Sequence, residues 1–194
     1  MVRCVLCVWL SGLTAFAFAE EPLHQLPQPE YSRQPTDPPW LVQVVQFHGH
    51  LGPAVVAGAR MGMAGLRAVD AKGYFDVEVR CEGPLAKPPQ SCFLDGIQMG
   101  TGATLGKRTL DWVPADELVV KVKNVQTGKS AELRPTAALL ELLASFKPRP
   151  KNLDPGKTDH RAPDEHLEAI ARKIAALPAK DTVTIEGVDA AASR

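Results

Sequence analysis

Three scarcities bound this 194-residue chain before any motif is considered. Charge of one sign is not in excess, since 22 Lys and Arg balance 22 Asp and Glu; this argues against nucleic acid or an anionic membrane surface as the main partner. Unbroken apolar runs are also lacking. Cys4 to Phe18 is interrupted by Ser11, Gly12 and Thr14 and, at about 15 residues, is short for a bilayer span. Pro53 to Val69 is interrupted by Arg60 and Arg67, which removes a transmembrane reading there. Cysteine is the third scarcity: Cys4, Cys7, Cys81 and Cys92 are all there are, so nothing after residue 92 can build a cysteine-based metal finger. No internal repeat or regular βαβ alternation is evident.

What is present at the start is a single charge, Arg3, an apolar stretch, and Ala17-Phe18-Ala19 before Glu20-Glu21-Pro22. That pattern reads as a secretory signal peptide, residues 1–19, cleaved after Ala19, and predicts a periplasmic or secreted protein. Cleavage leaves two thiols, Cys81 and Cys92, and a formal charge of −1. In an oxidising compartment the two can pair, and a disulfide closing this loop contributes about 3 kcal/mol in the chain-entropy model. Residues 20–39 carry six prolines among polar residues and form an N-terminal arm. Residues 40–146 are the expected core, 147–163 a charged, proline-containing surface linker, and 164–194 a C-terminal helix and strand packing on the core.

Local signals place the elements. Asp37 is the expected cap of a helix through Trp40, Leu41, Val44, Val45 and Phe47, ended by Gly49. Pro53 opens a second helix to about Val69; its Gly58, Gly62 and Gly65 each cost about 1 kcal/mol relative to alanine, which calls for close packing against another backbone. Phe75, Val77, Val79 and Cys81 alternate with charged residues, as in a half-buried strand. A short helix from Cys92 to about Met99 has Ser91 as its expected cap. Strands follow near 109–113, 117–125 and 130–133, then a helix from Pro135 to Phe146 with Leu139, Leu140, Leu142 and Leu143 inward. A helix from Pro163-Asp164-Glu165 to Leu177 and a strand from Thr182 to Ile185 complete the pattern. The fold class is α+β, with helices packed on a mostly antiparallel sheet.

Chemistry concentrates in two stretches. His48-Gly49-His50 places two imidazoles where a helix stops; in a continuous helix the rings diverge by about 200°, whereas in a turn they reach one side. They are either metal ligands or an acid/base pair, or helix-end histidines bonding to open carbonyls. Cys92 is either a third ligand or nucleophile, with its pKa lowered at a helix start, or half of a Cys81–Cys92 disulfide. Asp95, three residues on, is either a carboxylate partner for a histidine N–H or a solvated surface acid; Gln98 continues its face. Thr101-Gly102-Ala103-Thr104-Leu105-Gly106-Lys107 fails the nucleotide-loop pattern, because Thr101 stands where glycine is needed and Arg108 where Ser or Thr is needed. Its backbone N–H groups and Lys107 remain candidates for an anion.

In series, Phe47-His48-Gly49-His50-Leu51-Gly52-Pro53, Gly58-Ala59-Arg60-Met61-Gly62, Pro88-Pro89-Gln90-Ser91-Cys92, Asp95-Gly96-Ile97-Gln98 and Thr101 to Lys107 resemble the E-subunit family of formylmethanofuran dehydrogenase over roughly residues 40–135. The resemblance implies an α+β core that dimerises and a zinc or other divalent transition-metal site. It assigns His48, His50 and Cys92 as ligands, with Asp95, Gln98, Thr101 and Lys107 around them. Many members have cysteine where this chain has Gly52 and Ala103, which argues against a cysteine-rich cluster. Formylmethanofuran oxidation needs a molybdenum or tungsten cofactor on another polypeptide of that enzyme, so the resemblance implies no such activity here. The alternative from the residues is a non-enzymatic protein binding a small ligand or partner, with a structural Cys81–Cys92 disulfide.

Overall fold

Proline and glycine set the first two helices. The computed structural model describes residues 26–29, 31–145 and 164–189; the expected signal peptide, the first part of the arm and the expected linker lie outside the described residues. Helix α1, Pro39–His48, opens on a proline and stops at Gly49, whose left-handed backbone (φ 93°) lets its N–H donate to the carbonyl of Val45. Helix α2, Pro53–Val69, also begins on proline, which needs no N–H partner in a first turn. Asp37 does not cap α1. The cap position is Pro38, with no side-chain bond, and the Asp37 carboxylate accepts instead from the N–H of Gln34 and from Arg172.

Strand β1, Val77–Gly83, buries Val77, Val79 and Cys81 and exposes Glu78 and Arg80, as the alternation predicts. It starts two residues later than expected because Gly73 and Tyr74 are left-handed (φ 94° and 59°) and turn the chain, leaving Phe75 outside. Helix α3, Cys92–Thr101, lies between β1 and β2, Leu110–Pro114, so those two strands run parallel. β3, Val119–Asn124, and β4, Ser130–Pro135, are antiparallel neighbours. The sheet order is β2-β1-β3-β4-β5, with β5 at Val183–Asp189, and every pairing except β1–β2 is antiparallel. The predicted α+β class with a mostly antiparallel sheet is what forms.

Three further helices cover this frame. Pro135 ends β4 rather than starting α4, Ala137–Ala144, whose first turn is held by Thr136 accepting from the N–H of Leu139. Only Leu139 of its four leucines is fully buried, and Leu140 is exposed. Helix α5, Glu165–Ala176, begins at Asp164, which accepts from the N–H of Leu167. A single turn, α6, Ala179–Thr182, leads into β5. The Arg60 guanidinium of α2 reaches the carbonyl of Leu177, which closes α5, and the hydroxyl of Thr182 at 3.0 Å. A cation on the open carbonyl end of a helix is favourably placed.

The core is organised around α2, which the sheet covers on one side and α3 on another. A methyl group built on Gly65 would lie 2.7 Å from Val122 Cγ2 of β3. On the other side a Cβ on Gly58 would lie 2.0 Å from the carbonyl oxygen of Phe93, and one on Gly96 2.0 Å from that of Val55. The glycines at 58 and 62 thus face glycines at 96 and 100 in two helices that touch backbone to backbone, the compensation their helix-weakening composition called for.

The arm is anchored from Tyr31 onward. Arg172 of α5 donates to Asp37 Oδ1 at 2.8 Å, to Glu168 Oε2 at 3.1 Å and to the carbonyl of Ser32 at 2.6 Å. Glu168 also accepts from the N–H of Ser32. Both carboxylates are nearly inaccessible, 2% and 3% exposed, and the hydrogen bond from Arg172 holds Asp37 below the usual carboxyl range.

Candidate functional site

Because α1 ends at His48 and Gly49 turns left-handed, the chain reverses and brings His50 back beside His48. The ring centroids are 4.5 Å apart with planes at 43°. The helix stop thus converts a spacing that would separate the rings into one that pairs them. Gly52 borders the second ring, since a Cβ there would meet His50 Nε2 at 3.0 Å.

Helix α3 supplies the partner. Asp95 Oδ2 lies 2.7 Å from Nδ1 of His48, and its other oxygen is 3.4 Å from the side-chain amide nitrogen of Gln98. Asp95 is therefore a carboxylate partner rather than a solvated surface acid. A neutral His48 that donates from Nδ1 keeps its lone pair on Nε2. That nitrogen is buried and has no hydrogen-bond partner, a state that costs about 1–3 kcal/mol when nothing meets it. The His48 side chain is 7% exposed against 39% for Asp95, so the dyad runs from the surface inward. An oriented imidazole with a waiting inner nitrogen and a carboxylate behind it is the donor arrangement of a metal-bound histidine, and so the histidine part of the site fits a divalent ion.

The thiols behave differently from the expectation for a helix start. Ser91 makes no side-chain cap and is itself in helical conformation. The first N–H groups of α3 are already used, Cys92 bonding Pro89 and Phe93 bonding Gln90. With no open helix end to stabilise a thiolate, burial and then the charge of Asp95 push the Cys92 thiol up, not down. Cys81, in the core on β1, is pushed up to about 12, chiefly by burial and then by Asp111. Both are free thiols in the structure. Among the described residues no three His, Cys, Asp or Glu side chains converge closely enough to hold a metal ion, so Cys92 is not gathered with His48 and His50.

Thr101 and Lys107 sit at the far end of α3, about 14 Å of helix from Cys92. Thr101 is buried, its hydroxyl bonding the carbonyl of Ile97 and the N–H of Ala103. The ammonium of Lys107 donates to the carbonyl of Gly102. In the loop that follows, the N–H groups of residues 103, 104, 107, 108 and 109 bond within the 101–109 segment, so an anion cradle there is largely filled. The open face of the sheet carries a groove of about 680 Å³. Its charges neutralise one another, as in Lys121 with Glu82 and Glu132, or Arg80 with Asp111, which marks a solvated face.

Three contacts of the surrounding frame have no local signal in the sequence: Arg60 on the end of α5, the Arg172 cluster on the arm, and the close approach of Gly96 and Gly100 to α2. For the last the signal is a non-local one, a four-residue glycine spacing matching that of Gly58 and Gly62.

A family model described as FmdE, molybdenum formylmethanofuran dehydrogenase operon, matches residues 47–184, a span that takes in the histidine pair, Cys92, Asp95 and Lys107. A crystal structure of a tungsten formylmethanofuran dehydrogenase FmdE-like protein from Syntrophus aciditrophicus is similar at 18% identity with a TM-score of 0.47, covering 76% of this chain and 68% of that one. No curated protein matches the chain.

Proposed function

We propose that this chain, which belongs to the FmdE family, binds a zinc-like divalent ion through His48 and His50, with Asp95 setting the orientation of His48. The observation that carries the reading is the buried, unpartnered Nε2 of His48 behind a 2.7 Å contact from Nδ1 to Asp95. Cys92, three residues before Asp95 on α3, is the donor we assign to a third position, which it reaches only by a shift that gathers it with the histidines, since it stands apart from them in the structure; its raised thiol must also lose a proton on binding. With a position left for water, such an ion supplies Lewis acidity and a water that ionises near neutrality. Asp95 keeps the proton of His48 on Nδ1, and Gln98 steadies Asp95.

Metal analysis of protein purified without added metal tests the reading. The expected result is a stoichiometric ion that is lost in His48→Ala and in His50→Ala. Absence of metal in the unaltered protein, with no rise in stability on adding zinc, refutes it. Export and homodimerisation belong to the same proposal. Export is read by N-terminal sequencing that begins at Glu20, and the dimer by light scattering. We assign no formylmethanofuran dehydrogenase activity to this chain.

A further inference from the structure

We infer that the end of the molecule opposite the histidines is a docking surface for an anionic lipid bilayer. The topology sets it up. β1 and the parallel β2 begin at the end where β3 finishes and β4 begins, so the loops before β1 and β2 and the β3–β4 turn share one edge. Thr101, at the close of α3, joins them by accepting from the N–H of Tyr74. Tyr74, Phe75 and Leu105 project from this edge at 66%, 71% and 66% exposure, with Val125 beside them through its bond to Asp76.

The rings are held out rather than left out. Tyr74 has a left-handed backbone, φ 59°, a conformation that costs a bulky residue energy and that an inward-packing tyrosine would not require. The Lys107 ammonium sits 5.8 and 5.6 Å from the Tyr74 and Phe75 ring centroids while donating to Gly102, so both rings are steadied from the protein side. With Lys107 spent on Gly102 and the rings, the loops of this edge still carry an exposed Lys72 and Arg108 and a half-buried Lys129 against Asp70 and Asp76, and one Asp76 oxygen already accepts from the N–H of Lys72.

Exposed loop tips of Tyr, Phe and Leu among cations fit a flat, negatively charged interface, where the rings enter the headgroup region and the cations meet phosphate. A second copy docking by the same surface would set these cations against each other. The neutral total charge of the chain hides this local excess. The inference is independent of metal binding, since the tips and His48 lie toward opposite ends of α3.

Vesicle co-sedimentation tests it, using phosphatidylcholine alone and with phosphatidylglycerol, on the full chain and on the chain from Glu20. Binding is expected to anionic vesicles, weakening with salt, and to drop about tenfold or more in Phe75→Ser/Leu105→Ser. Lys72→Gln/Lys129→Gln is expected to weaken binding to anionic vesicles only. Circular dichroism confirms that the variants fold. Three results overturn the inference: no vesicle binding by the chain from Glu20, equal binding by the serine variant, or loss in that variant of self-association or acidic-protein binding without any vesicle binding.

Discussion

Gly96→Ala isolates the contact on which the candidate site depends. The added Cβ would sit 2.0 Å from the carbonyl oxygen of Val55, 2.7 Å from the nitrogen of Ala59 and 2.9 Å from the Cα of Gly58. Carbon and carbonyl oxygen rest about 3.3 Å apart in close helix contacts, so α2 and α3 must separate by about 1 Å. All three obstructing atoms are backbone, and no rotamer change relieves them. Overpacking of this kind costs about 1–3 kcal/mol and occasionally more, and here the upper part of that range applies. Alanine recovers about 1 kcal/mol of helix propensity. A net loss of about 2 kcal/mol follows, or about 4–8 °C in Tm for a domain of this size. Because Asp95 precedes Gly96, the same displacement carries it away from His48 and weakens metal binding. Urea denaturation and thermal melts followed by circular dichroism measure the first effect, and zinc titration the second. Gly106→Ala is the control: its Cβ meets only Thr104 Oγ1, at 4.0 Å, and stability should stay within about 0.5 kcal/mol. A Gly96→Ala protein as stable as that control would refute the helix crossing.

Other perturbations probe separate features. Arg172→Met leaves Asp37 and Glu168 buried without a cation and should cost about 3–5 kcal/mol, with trypsin cutting faster at Arg33; unchanged cutting and stability would remove the latch. Since Asp37 is held below its ordinary 3.8, its contribution is complete above that value and is lost as pH falls through the lower folded-state one, and Arg172→Met should flatten this acid limb of the stability profile. Asp95→Ala should keep the fold, its side chain being partly exposed, while lowering zinc affinity about 10–100-fold; isothermal titration showing equal affinity would remove Asp95 from the site. In native protein at neutral pH, iodoacetamide should modify Cys92 slowly and leave Cys81 untouched, because Cys81 is fully buried and its thiol is pushed up to about 12; mass spectrometry showing the reverse order would contradict the placement of β1.

The amino-acid sequence by itself determined the elements and much of their order. Pro39 and Pro53 start helices, Gly49 stops one, and the alternation from Val77 to Cys81 makes a strand, because each signal acts within a few residues. It also marked His48, His50 and Asp95 as candidates, yet it weighed Asp95 as a surface acid and expected a lowered thiol at Cys92. Those questions turn on contacts between residues far apart in the chain. His48 meets Asp95 across 47 positions, and only the α2–α3 glycine crossing, together with the packing of α1 on α3, brings them together. Cys92 lost its helix-start advantage because the preceding turn is itself helical and uses its N–H groups, a property of backbone geometry that composition does not record. Tertiary structure likewise decided that Thr101 and Lys107 lie at the other end of α3 from Cys92, since a rigid helix holds its two ends about 14 Å apart.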